Sequence, residues 1–174
     1  YSEYGWSFVG TDTEYKALKS AKSIIRANTA LKRKINLKKQ NDFKSIFKSI
    51  ISPQDRFELT LCNPPFHSSA QQASAASIRK TANLKKKKVD KVSLNFGGQS
   101  NELWCNGGEY QFIKQMITES KRFSSNCLWF TSLVSKKENV KHFHKMLAEV
   151  NIADYKVIEM KQGQKVSRVI CWTF

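Results

Sequence analysis

The chain has 174 residues, 40 % of them hydrophobic, with four Trp and eleven Phe, enough to bury one domain's core and too apolar for a disordered segment. Thirty Lys and Arg against fourteen Asp and Glu give a net charge of +16, which repels itself unless a polyanion partner offsets it. Nucleic acid is the first such partner; with no lipidation motif or long apolar run a membrane is disfavoured, and no obligate protein partner is called for.

The chain opens at Tyr1 without Met, and its first residues read as a strand rather than a leader, so an amino-terminal part is expected upstream. Trp6 to Gly10 form a short buried strand closed by Thr11 to Glu14, and Leu18, Ala21 and Ile25 then recur at helical spacing. A second strand is expected from Lys34 to Leu37. Asp42 reads as the N-cap of a short helix that buries Phe43, Ile46, Phe47 and Ile50. The apolar run Phe57 to Cys62 is a further strand, and it ends on Asn63-Pro64-Pro65-Phe66.

From His67 to Gly108 stand 42 residues with little apolar periodicity, an insertion of the kind that is functional or disordered. Glu109 opens a helix through Tyr110, Ile113, Met116 and Ile117, followed by the strand Cys127 to Val134 and a helix marked by Val140, Phe143 and Leu147. Tyr155 to Met160 and Val166 to Phe174 are two last strands able to pair as an antiparallel hairpin. Alternating strands and helices predict an α/β fold with a mostly parallel sheet, closed by that hairpin and lacking the first strand-helix unit. The expectation is a single, incomplete domain over 1–174. No G-x-G-x-x-G turn follows any strand; Gly97-Gly98 and Gly107-Gly108 lie in the insertion and read as turn glycines.

The tetrapeptide narrows the chemistry. An exocyclic purine amino group is a poor nucleophile because its lone pair is delocalised into the ring. Two oxygen acceptors aimed at its two N–H bonds localise that pair and support the charge that develops as nitrogen attacks a sulfonium methyl. The Asn63 side-chain oxygen and the Pro64 carbonyl supply such a pair, while Pro64 and Pro65 bring no competing N–H and hold Asn63 and Pro64 extended. Phe66 offers a face for a base, worth about 1–3 kcal/mol in stacking. No general base is needed, since the methylated nitrogen loses its proton to water. The plainer alternative is a rigid strand end with Phe66 as core.

Cys62, Cys105, Cys127 and Cys171 form no C-x-x-C pair, which fits buried thiols in a reducing, cytoplasmic compartment. His142 and His144 are two apart and point away from each other on a helix, so no metal site is expected. His67 lines a pocket or is a polar loop residue; the sequence leaves both open.

Beyond the tetrapeptide, the chain carries Leu94-Asn95-Phe96-Gly97-Gly98-Gln99, Glu102-Leu103-Trp104-Cys105, Gly107-Gly108-Glu109, Trp129 to Ser135 and Gln162-Gly163-Gln164-Lys165. With these runs it resembles, essentially from end to end, the bacterial RlmF type of large-subunit ribosomal RNA adenine-N6 methyltransferases. The resemblance implies a Rossmann-like methyltransferase fold, S-adenosylmethionine as donor, and an adenine of large-subunit (23S) rRNA as acceptor. It implies that Asp12 holds the cofactor's ribose hydroxyls, for which a carboxylate at a strand's carboxyl end is chemically suited. A helix N-terminal charge is the alternative for Asp12. Asp42 approaches the adenine end of the cofactor or is simply a cap. In this family a glycine-rich segment precedes the position of Tyr1, and these 174 residues alone are expected to bind the cofactor weakly or not at all.

Between Arg79 and Lys91 the insertion holds Arg79, Lys80, Lys85, Lys86, Lys87, Lys88 and Lys91 against Asp90, a net +6 in thirteen residues. These cations are expected to contact RNA phosphates, giving salt-dependent affinity without base choice. A solvated charge run is the alternative. Rival acceptors for the same turn are rRNA guanine N2, DNA adenine and protein glutamine, of which charge disfavours only the last. A catalytically idle RNA-binding module is the rival of another class.

Overall fold

Phe8–Asp12 (β1) lies parallel to Ile35–Lys39 (β2), with Phe8 opposite Ile35 and Asp12 opposite Lys39. The computed structural model describes residues 3–75, 103–163 and 165–174. Between these strands runs the helix Tyr15–Ala27 (α1), begun where the Asp12 carboxylate accepts the Glu14 N–H at 2.7 Å. Its apolar stripe of Leu18, Ala21 and Ile25 is as expected, yet every one of its residues keeps some exposure. A 3-10 turn, Thr29–Leu31, leads into β2.

The helix expected after Asp42 is not there: residues 42–51 form successive turns, and Phe43 is 72 % exposed. Side chains have captured the backbone groups a helix would use. Asp42 Oδ1 accepts the Lys44 N–H at 2.9 Å and Oδ2 accepts the Ser45 hydroxyl at 2.8 Å. Buried Gln40 donates to the Lys48 carbonyl at 2.9 Å and accepts the Asp42 N–H at 2.9 Å, and Ser49 sits at φ 67°. Phe47 and Ile50 are buried as predicted, and Ile46 is half-buried.

By packing the chain divides into units Tyr1–Asp55 and Arg56–Phe174. In the second, Phe57–Leu59 (β3) runs parallel to Cys127–Val134 (β4), with Leu59 opposite Trp129. The ladder is shorter than the expected strand because Thr60 and Thr131 replace it with side-chain bonds. Thr131 Oγ1 donates to the Thr60 carbonyl at 2.6 Å, and the Thr131 N–H reaches Thr60 Oγ1 at 3.1 Å. Pairing resumes where the Leu133 N–H donates to the Cys62 carbonyl at 2.9 Å.

The last two strands, Asp154–Gln162 (β5) and Lys165–Thr173 (β6), form the antiparallel hairpin, and β6 also pairs antiparallel with β4. The order is β3-β4-β6-β5. Helices Gly108–Ser120 (α2) and Lys137–Glu149 (α3) bury Ile113, Met116, Ile117, Phe143 and Leu147, and the sheet buries Phe130, Val134, Ile170 and Trp172. The Trp172 indole N–H donates to the Ser120 hydroxyl at 2.9 Å, which itself donates to the Ile117 carbonyl at 2.7 Å, so this polar pair is satisfied inside the core.

Candidate active site

Asn63 is exposed at the end of the strand that begins with β3, while Pro64 and Pro65 are buried and Phe66 is half-buried. The tetrapeptide is pinned on both sides. Upstream, the Cys62 carbonyl is held by Leu133. Downstream, the His67 N–H donates to the Leu103 carbonyl at 3.1 Å and the His67 carbonyl accepts the Cys105 N–H at 3.1 Å, a parallel bridge to Trp104. Two prolines between two backbone anchors leave Asn63 little freedom except at its side chain. His67 thus spends its backbone fixing the loop, a role its residue type does not announce.

Gly108 closes the arrangement from beneath. At φ 59° it packs so tightly that a Cβ there would sit 3.1 Å from the backbone of His67 and Ser68 and 3.2 Å from the Phe66 carbonyl oxygen. The next residue, Glu109, is 1 % exposed. Its Oε2 accepts the Ser135 N–H at 2.7 Å and, by a short bond, the Ser135 hydroxyl; its Oε1 accepts from Asn139 at 2.9 Å and the Lys136 N–H at 3.3 Å. One turn of α2 therefore fastens the loop after the tetrapeptide to the loop after β4. The pattern reads Glu109 as a helix opener; the clamp spans 26 residues and lies beyond local periodicity.

Burial pushes the Cys62 thiol up to about 11, only partly offset by a hydrogen bond with Ser132. A thiol of that kind is protonated at neutral pH and is no nucleophile, so the residue beside Asn63 serves packing. Cys105 is shifted upward too, by burial, against a hydrogen bond with Gly108.

In the first unit, Asp12 ends β1 half-buried, with Oδ1 engaged by the Glu14 N–H. Asp42 has both oxygens engaged by its own turn; the Lys44 N–H and the Ser45 hydroxyl hold its carboxyl below the usual carboxylate range. Asp42 therefore caps no helix, since none follows it, and its carboxylate holds its own turn instead. Arg79, Lys80, Lys85, Lys86, Lys87, Lys88 and Lys91 lie outside the described residues, as do Gly97-Gly98. His142 and His144 are exposed on α3, beside Tyr110 and Tyr155 respectively. Among the described residues no helix is long and apolar enough to cross a membrane.

A strand tip presenting an Asn-Pro-Pro-Phe turn beside a β4–β6–β5 sheet with an antiparallel close defines an α/β, Rossmann-like methyltransferase fold. The hMettl16 catalytic domain, solved in complex with MAT2A 3'UTR hairpin 1, shares it with a TM-score of 0.79 at 23 % identity, over 98 % of this chain and 56 % of that one. The N-terminal domain of human METTL16 in complex with SAH does so with a TM-score of 0.70 at 18 % identity, over 99 % and 54 %.

Residues 1–174 match the family described as RNA methyltransferase, and the chain belongs to it. Ribosomal RNA large subunit methyltransferase F of Bacteroides fragilis is 49 % identical over 173 residues, which are 99 % of this chain and 57 % of the relative. Its counterpart in Flavobacterium johnsoniae is 52 % identical over 175 residues, 99 % and 55 % respectively. The chain spans about half the length of the curated relatives it matches.

Proposed function

We propose that the protein transfers a methyl group from S-adenosylmethionine to the N6 amino group of an adenine in large-subunit rRNA, in a cytoplasmic setting. The observation that carries the reading is the exposed Asn63 on a backbone anchored at Cys62 and His67. Preorganised acceptors gain most where they need not reorganise as charge develops. In this reading the Asn63 side-chain oxygen and the Pro64 carbonyl accept the two amino N–H bonds. The N–C bond forms as the donor's S–C bond breaks, and the extra proton leaves to water. Phe66 supports the base by stacking, with Pro65 stiffening the turn.

The donor supplies an electrophilic methyl, and Asp12 carries a carboxylate suited to the hydroxyls of its nucleoside part. Asp12 has one oxygen committed to its own chain and, among the described residues, no hydrogen-bond partner at the other, so Oδ2 is open to a ribose hydroxyl. Asp42 has no free oxygen to offer, both being held by its own turn. The lysines and arginine of the 79–91 run add phosphate contacts. The names of the relatives, rRNA methyltransferases at about half identity, favour rRNA as acceptor.

The test is label transfer from radiolabelled S-adenosylmethionine to large-subunit rRNA by the protein in its full length. Label is expected on adenine N6, and Asn63→Ala should lower kcat by about 10²–10³ with RNA affinity kept, the loss typical of removing one such acceptor or donor. Label on guanine, or undiminished turnover in the variant, overturns the reading.

A further inference from the structure

We propose that the cleft between α1 and β2 is a second RNA-backbone contact, made by Lys22, Arg26 and Lys32. From Tyr15 to Asn41 the chain holds nine Lys and Arg and no Asp or Glu. The structure folds part of this run around an open cleft of about 270 Å³, whose apolar floor is Ile25, Ile35 and Leu37. Lys22 and Arg26 stand one turn apart on the same face of α1, and Lys32 reaches in from the turn after Thr29–Leu31.

Lys38, on the neighbouring β2, shows what a structural lysine looks like in this unit. Its ammonium donates to the Ile50 carbonyl at 2.7 Å and pairs with Asp55 at 3.3 Å. Lys22, Arg26 and Lys32 are different: among the described residues none of their side-chain cations has a carboxylate or carbonyl partner, and all three residues are exposed. Three convergent, unneutralised cations repel one another in the free protein and gain when a polyanion releases its counterions onto them. The aliphatic floor suits the apolar face of a ribose between two phosphates, and exposed Asn36 on the cleft wall offers an amide to a 2′-hydroxyl. A concave site of this shape does not fit a planar lipid surface.

Such contacts give affinity and register without reading bases. Only the identity of the polyanion as RNA rests on the proposed function.

The test replaces all three in the full-length protein, as K22Q/R26Q/K32Q, and follows binding to an rRNA fragment across a salt series. Removing three phosphate contacts should flatten the slope of log K against log salt by about 2 and weaken low-salt binding roughly tenfold or more. The charge-keeping variant K22R/R26K/K32R should retain both slope and affinity, and in the triple glutamine variant kcat at saturating RNA should hold while KM rises. An unchanged slope overturns the proposal. So does equal loss in the charge-keeping variant, or loss of binding to phosphatidylserine vesicles alone. Adenine methylation with undiminished RNA affinity in the triple glutamine variant defeats the cleft and leaves the reaction standing. Label on guanine, with the slope flattened as described, does the reverse.

Discussion

The Arg56–Phe174 unit and the Tyr1–Asp55 unit are built from different material. The first of these closes over Phe130, Phe143, Trp172 and their neighbours at zero exposure, and it even buries a carboxylate, Glu109. The second buries only Phe47, Ile50 and Gln40 among its described residues, leaves α1 without a buried side chain, and takes its shape from side chains bonding backbone. Alignment of reacting groups demands fixed positions, whereas phosphate contact demands only exposed charge. The candidate catalytic turn sits on the densely packed unit and the unpaired cations on the lightly buried one.

The sharpest way to break that contrast is Glu109→Ala. Four donors from Ser135, Lys136 and Asn139 lose their acceptor, and a stability loss of about 2–4 kcal/mol is expected from urea denaturation, with faster amide exchange at Ser135 and Lys136. A loss below about 0.5 kcal/mol would place Glu109 among ordinary surface residues, where changes are small, and end the description of a clamp.

The next effect is alkaline. Burial raises the Cys62 and Cys127 thiols from 9.0 to about 11. A group raised on folding keeps its stabilising contribution below its unfolded value and loses it as pH climbs toward the folded one. Stability should therefore fall by about 2 kcal/mol per thiol between about pH 8 and about pH 10.5, beyond what lysine titration causes. Comparing the wild type with Cys62→Ala and Cys127→Ala isolates the term: each variant should show a flatter pH profile. Parallel profiles would mean the thiols are solvated and the Arg56–Phe174 unit is less densely packed.

Much of the fold was readable where one residue pattern dictates one answer. The apolar run Cys127 to Val134 is β4 to the residue, and the stripe of Val140, Phe143 and Leu147 is α3. The hairpin followed from two β-rich runs around Gly163, although both strands extend further into the turn than their apolar content indicates. What local pattern missed depends on contacts distant in sequence or on competition for backbone groups. Periodicity at Phe43, Ile46, Phe47 and Ile50 is helical, but Gln40 and Asp42 take the helix's own donors and acceptors. Within the candidate site, the Asn63 turn was visible as a sequence motif; the anchors at Leu103, Cys105 and Leu133 and the clamp at Glu109 were not, since each joins segments that only folding brings together.

The smallest predicted effect tests the lightly buried unit on its own terms. Asp42's carboxyl is held below 3.8 first by the Lys44 N–H and then by the Ser45 hydroxyl. A group lowered on folding stabilises above its unfolded value, and that contribution disappears as pH falls through the folded one. The Lys44 amide resonance should accordingly titrate with a midpoint below 3.8, and Asp42→Asn should abolish the titration while leaving the turn formed, because the amide oxygen still accepts that N–H. A midpoint at or above 3.8 would show that the turn does not depend on the carboxylate. Buried Gln40, which holds the Asp42 N–H and the Lys48 carbonyl, would then be the residue that replaces the helix with turns.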